Sequence, residues 1–154
     1  MNQKNQEQNE IKIERVFNTK PSVMFKMWTD PDHFSKWYGP KGFTVPECEL
    51  DVRPGGKMLV KMKSPDGKMY PSPGIYHQIV ENEKLVFSLL SHYDNQGNPQ
   101  VEMLNSIIFE ENEGKTKMTM HIVEVKTIPG VEPLKGLDFA WNSSFDKLEI
   151  ALNK

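Results

Sequence analysis

The chain has 154 residues, a formal net charge of −2, 37% hydrophobic residues and a single cysteine. That length fits one ordinary domain, in which folding hides roughly 68–70% of the surface the unfolded chain exposes. The near-neutral balance, with lysines scattered among acidic and apolar residues, argues against a nucleic-acid partner. The lone Cys48 rules out an intramolecular disulfide and fits a reducing compartment.

Met1 to Glu10 is almost wholly polar and reads as a short disordered tail ahead of one domain over residues 11–154. It lacks the apolar stretch of a signal peptide, and no run of about 18 apolar residues occurs anywhere. The expectation is a soluble cytoplasmic protein without a membrane span.

Ile11 to Phe17 alternates as a half-buried strand, with Ile11, Ile13, Arg15 and Phe17 on one face. Two short helices follow. One lies within Pro21 to Trp28. The other runs from Pro31, behind the capping residue Asp30, to about Tyr38, where Gly39-Pro40 stops it. From Val45 the period becomes two. Val45 to Val52 and Lys57 to Lys63 form a pair of strands around the turn Arg53-Pro54-Gly55-Gly56. Ser64-Pro65-Asp66-Gly67 is a second turn. Strands are expected over Gly74 to Val80, Leu85 to Leu90, Val101 to Phe109 and Lys115 to Val125, with a polar loop from His92 to Pro99. After Pro133 the period turns helical: Leu134, Leu137, Trp141, Phe145, Leu148 and Leu152 form one apolar stripe. One strand, two helices, six strands and a long helix make an α+β arrangement, in which the helix is the only long cover for the sheet.

The inward positions are rich in methionine and aromatics. Met58, Val60 and Met62 share a face, as do Met103, Asn105, Ile107 and Phe109, and then Met118 and Met120. Tyr76, Phe87, Trp141 and Phe145 complete a set of candidate walls. Plain core filling accounts for such a list, but methionine also suits a site of variable shape. Three polar residues fall on inward faces. Asn105 sits mid-strand, and Arg15 and Glu124 are placed to pair or to rim a cavity mouth.

Catalytic signals are weak. Glu47 and Glu49 flank Cys48 and disfavour a thiolate. His33 and Asp32 are sequence neighbours, which do not face each other on a helix. The histidines lack metal spacing, Gly55-Gly56 closes a hairpin instead of opening a helix, and Ser143-Ser144 has no nucleophile elbow around it. No metal and no cofactor is expected. Only Glu124, Tyr76 or a histidine away from the inward faces remains as an acid–base candidate, so catalysis is the last-ranked reading.

One family resemblance runs through the chain. Its pieces are Arg15-Val16-Phe17, Val23 to Pro31, Trp37-Tyr38-Gly39-Pro40-Lys41-Gly42-Phe43, Asp51-Val52-Arg53-Pro54-Gly55-Gly56, Asp66-Gly67, Gly74 to Ile79, Lys84 to Phe87 and Trp141 to Leu148. In order and spacing these resemble the activator of heat shock protein 90 ATPase homologues, a branch of the SRPBCC (START-related) superfamily. The resemblance implies a helix-grip fold, in which a curved antiparallel sheet of about seven strands wraps the long C-terminal helix and encloses a cavity. It also places Trp37 and Tyr38 near that cavity. The implied function is binding of a small hydrophobic or amphipathic molecule, by a monomer or homodimer. The alternatives are a co-chaperone-like contact with heat shock protein 90, then a cyclase or hydrolase activity. The sequence departs from the family at Gln78, where glutamate is frequent. It also shows no counterpart of the N-terminal domain of eukaryotic co-chaperone members, which weighs against direct stimulation of the chaperone ATPase.

Overall fold

The computed structural model describes residues 10–153. β1 spans Glu10–Phe17, α1 Pro21–Thr29 and α2 Pro31–Phe34. Seven strands follow: β2 Thr44–Leu50, β3 Lys57–Lys63, β4 Met69–Pro71, β5 Gly74–Val80, β6 Lys84–Tyr93, β7 Pro99–Asn112 and β8 Lys115–Lys126. Helix α3, Leu137–Leu152, ends the fold. All strands join one antiparallel sheet in the order β1-β8-β7-β6-β5-β3-β2, with β4 added beside β3. β1 and β2 are the edges and do not pair with each other, so the sheet curls without closing. This is a helix-grip α+β fold.

The local rules account for most element bounds. The Asp30 carboxylate accepts the Asp32 N–H at 2.9 Å and caps α2 behind Pro31. The β7–β8 hairpin turns on Glu113 and Gly114, with φ of 54° and 81°. A two-residue turn that matches the strand twist needs positive φ at both positions. Along β7 the buried residues alternate as Val101, Met103, Asn105, Ile107 and Phe109.

Several expectations need correction. Residues 1–9 of the expected tail lie outside the described residues, but Glu10 opens β1 opposite Val123. The second short helix ends at Phe34, and turns carry the chain on to Tyr38. β4 was not legible, because three exposed residues show no period. The expected loop from His92 to Pro99 is shorter, since β6 runs to Tyr93 and β7 starts at Pro99. Arg15 does not pair with Glu124. It reaches across to α3, where its guanidinium donates to Asp146 Oδ1 at 2.9 Å, Glu149 Oε1 at 3.0 Å and the Asn142 carbonyl at 3.2 Å. Glu124 instead lies opposite Met103, beside a bulge.

Trp28, 1% exposed, is the centre of the core. Its indole lies within 6.2 Å of the rings of Phe34, Trp37, Phe87, Trp141 and Phe145. These partners come from α2 and the turn after it, from β6 and from α3, so one side chain joins the short helices, the sheet and the long helix. Truncating a fully buried aromatic removes burial and leaves a cavity. Trp28→Ala should therefore lower the unfolding free energy by about 3–5 kcal/mol. Arg15→Met, which breaks an ion pair with exposed carboxylates, should cost about 1 kcal/mol. Urea unfolding at pH 7 checks both, and equal losses would contradict the central place of Trp28.

Candidate functional site

The interior between Trp37, Asn105 and Phe145 is filled. These residues are 0%, 1% and 0% exposed. Trp37 donates its indole N–H to the Met27 carbonyl at 2.9 Å. Asn105 donates its amide to the carbonyls of Phe87 and Met103, both at 3.2 Å. Open space lies instead at one end of the grip, as a cleft of about 230 Å³. One wall is the first half of α3, through Leu137, Ala140, Trp141 and Ser144. The opposite wall is sheet, with Met62 from β3, Leu89 from β6 and Ser72 just after β4. Tyr38, Gly39 and Pro40 form the third side.

Of the sequence-derived candidates, Tyr38, Met62 and Trp141 meet in this cleft. Met58, Val60, Tyr76, Phe87, Met103, Ile107 and Met120 are buried in the core, together with Trp37, Asn105 and Phe145. Gln78 is exposed and opposite Val86, so the departure from glutamate does not alter the cleft. Sequence reasoning missed Ser72, Leu89, Leu137, Ala140 and Ser144 as lining. A signal existed on α3. Residues 137, 140, 141 and 144 fall at helical spacing on one face, and two of them, Ala140 and Ser144, are too small to fill the space beside Trp141.

Inside the cleft the Tyr38 hydroxyl and Ser72 Oγ are hydrogen-bonded at 2.9 Å. Tyr38 is 5% exposed. It stacks on Phe34 at 4.5 Å and meets Trp141 edge-on at 5.7 Å. Burial pushes its pKa up to about 12, against a smaller opposing effect of the Ser72 bond. Burial also pushes the Tyr76 phenol well up, and the Cys48 thiol up to about 11. Cys48 is therefore a thiol at neutral pH and no nucleophile. Four buried polar atoms have no hydrogen-bond partner among the described residues: Trp28 Nε1, the Tyr76 hydroxyl, Asn105 Oδ1 and His33 Nδ1, the last 3.3 Å from Asp30 Oδ2. Among the described residues no cluster of three His, Cys, Asp or Glu side chains could hold a metal ion. No helix among them is long and apolar enough to cross a membrane.

The third side of the cleft is a strap, Gly39 to Phe43, pinned to α3. Lys147 Nζ donates to the carbonyls of Gly39 at 3.0 Å, Pro40 at 3.4 Å and Phe43 at 3.0 Å. The Lys41 N–H donates to Ser143 Oγ at 2.8 Å. Gly39 has φ of 96°, and a Cβ there would sit 3.1 Å from Met62 Sδ. Glycine thus lets the strap close onto β3.

Two outcomes follow for solution work. Lys147→Met leaves three carbonyls without their donor, so amide exchange at Lys41 and Phe43 should accelerate at least about tenfold while exchange in β7 stays unchanged. Unaltered exchange in the strap would show that Lys147 does not hold it. In alkali, Tyr38 and Cys48 keep their protons to higher pH folded than unfolded. Their contribution is complete below the unfolded values of 9.0 for Cys48 and 10.0 for Tyr38, and is lost as pH rises towards about 12. Stability should fall from about pH 9 upward, and Tyr38→Phe should flatten that fall by about 2–3 kcal/mol between pH 9 and 12 in urea titrations.

Comparison with known proteins agrees with this architecture. A crystal structure of a protein from Nitrosomonas europaea matches with a TM-score of 0.80 at 23% identity, over 95% of each chain. A solution structure of a protein from Arthrobacter aurescens matches with a TM-score of 0.81 at 20% identity, over 96% of this chain and 87% of that one. The crystal structure of an AHSA1 protein from Silicibacter pomeroyi matches with a TM-score of 0.77 at 22% identity, over 94% and 97%. At these identities the likeness is one of fold. Comparison with curated proteins found no match. The family model described as "Activator of Hsp90 ATPase homolog 1-like protein" matches residues 18–153, nearly the whole domain, and the chain belongs to that family, within the SRPBCC superfamily.

Proposed function

We propose that the protein binds a small, mostly apolar organic molecule in the cleft between α3, the strap and the sheet. The observation that carries this is the cleft itself, whose walls include Met62, Leu89, Leu137 and Trp141 and, among the described residues, no ionised side chain. Its volume of about 230 Å³ exceeds the roughly 150 Å³ of an apolar cavity that admits benzene. It falls below the roughly 300–1,000 Å³ of sites for drug-sized ligands. A molecule with one or two rings, or a short branched chain, fits that range. Met62 supplies an adaptable wall and Trp141 a flat one. This reading assigns binding and no chemical step.

A second reading, contact with heat shock protein 90, follows the family description alone. Val16, Leu59, Ile108 and Val125 are exposed apolar residues, but they lie on four strands, with Val16 opposite Lys117 and eight residues along β8 from Val125, so they are scattered points and not one patch. An ATPase assay with the chaperone at saturating protein separates the two, since a cleft binder leaves the rate unchanged.

A library of one- and two-ring neutral compounds, titrated into methyl- and indole-labelled protein and followed by NMR, tests the cleft. Saturable shifts should appear at the Met62 methyl and the Trp141 indole while the Met118 and Met24 methyls stay still. Saturable shifts confined to Leu59, Ile108 and Val125, or none at all, would overturn the proposal.

A further inference from the structure

Among the described residues, the cleft lining offers an incoming ligand no compensating charge. Lys147, three residues beyond the lining Ser144 on α3, gives its ammonium hydrogens to the three strap carbonyls. A carboxylate or ammonium entering the cleft would leave water without gaining an ionic partner, which is costly.

The hydroxyl pair is a different matter. Tyr38 and Ser72 carry two hydroxyl protons and share one hydrogen bond of 2.9 Å. Whichever oxygen donates, one O–H remains uncommitted. A phenol is the stronger acid, so the favoured arrangement has Tyr38 donating to Ser72 and the serine proton left free. Ser72 is half-buried, and a donor without a partner is the rarer state there, compared with a spare lone pair. The pair is also held in place. Tyr38 is fixed between Phe34 and Trp141, and Ser72 is tied by its backbone N–H to the Val60 carbonyl at 2.8 Å. The other lining hydroxyl, Ser144, is turned back to the Ala140 carbonyl. Burial keeps Tyr38 protonated up to about pH 12, so the pair presents neutral hydroxyls throughout the working range.

We propose that the cleft selects uncharged ligands bearing a hydrogen-bond acceptor, such as a ketone, ester or ether oxygen on a compact hydrocarbon body, and that the Tyr38–Ser72 hydroxyl pair receives that acceptor. The inference rests on the cleft being the binding site and adds the chemical class it takes.

Three probes of nearly the same shape test it: acetophenone, isopropylbenzene and benzoate. Each is titrated at pH 7.5 into the wild type and into the double variant Tyr38→Phe with Ser72→Ala. NMR shifts at Met62 and Trp141 report occupancy. For the wild type, acetophenone should bind about five- to tenfold tighter than isopropylbenzene, as one neutral hydrogen bond allows. Benzoate should bind at least about tenfold more weakly than acetophenone. In the double variant isopropylbenzene should keep its affinity, which also reports an intact cleft, while acetophenone falls to the same level. If the double variant does not fold, the carbonyl 13C resonance of acetophenone bound to the wild type should move downfield, as that of a ketone accepting a hydrogen bond does, and an unmoved resonance would overturn the inference. Isopropylbenzene binding as tightly as acetophenone, benzoate binding tightest, or a preference that survives both substitutions would overturn the inference while leaving the cleft as a binding site. Absence of binding by all three neutral and charged probes would overturn the cleft reading as well.

Discussion

The packing of five aromatic rings around Trp28 is the contact on which this molecule depends. Each partner belongs to a different part of the chain: the short helices and their turn, the middle of the sheet, and two successive turns of α3. A curled, open sheet has no closed ladder to hold its shape, so its curvature is set by what it grips. Trp28 fixes the depth at which α3 sits. It also fixes the position of Trp37 and Tyr38, which leave α2 with their rings turned into the same cluster. Dense packing of this kind transmits small displacements, and the cleft lies directly against it through Trp141, stacked on Trp28 at 5.9 Å.

The cleft is thus the unfilled end of a filled core. Large rings occupy the middle of the grip, and small residues on α3 leave room near its start. Ala140 and Ser144 line the same cleft as Met62 and Leu89 of the sheet. The strap of Gly39 and Pro40 bounds this space, and four hydrogen bonds from Lys147 and Lys41 tie it to α3. The same helix therefore supplies a wall of the cleft and the anchor of its third side. Arg15 ties the C-terminal half of α3 to β1, so the helix is held along its length by contacts of different kinds.

Buried polarity in this protein is economical. Asn105 spends its amide protons on two carbonyls of the sheet and leaves its oxygen without a partner, as the Tyr76 hydroxyl and the Trp28 indole N–H are also left. Such groups cost stability, and their company of aromatic rings softens that cost only in part. The Tyr38–Ser72 pair differs because both residues line the cleft. There a spare O–H can be satisfied by whatever enters, so polar chemistry can become selective at that point.

Periodicity alone gave the strands and the long helix, because alternation and a three-to-four spacing record which face is buried. Asp30-Pro31 and the Gly-rich turns punctuated them through backbone rules that act locally. The family was legible in the ordered pieces from Arg15 to Leu148. Three features escaped: the short β4, the partner of Arg15, and the place where space remains. β4 carries no period of its own and exists because β3 offers it an edge. Arg15 shares an inward face with Ile13 and Phe17, but the β1–β8 register sets it opposite Met118, six residues along the strand from Glu124, and the placing of α3 brings Asp146 and Glu149 to it instead. Strand parity, the helical stripe and the family resemblance together named thirteen wall residues, yet none of these can tell a wall that faces a ring from one that faces a void. That distinction depends on how side chains from distant elements fill a common volume, and only the assembled structure decides it.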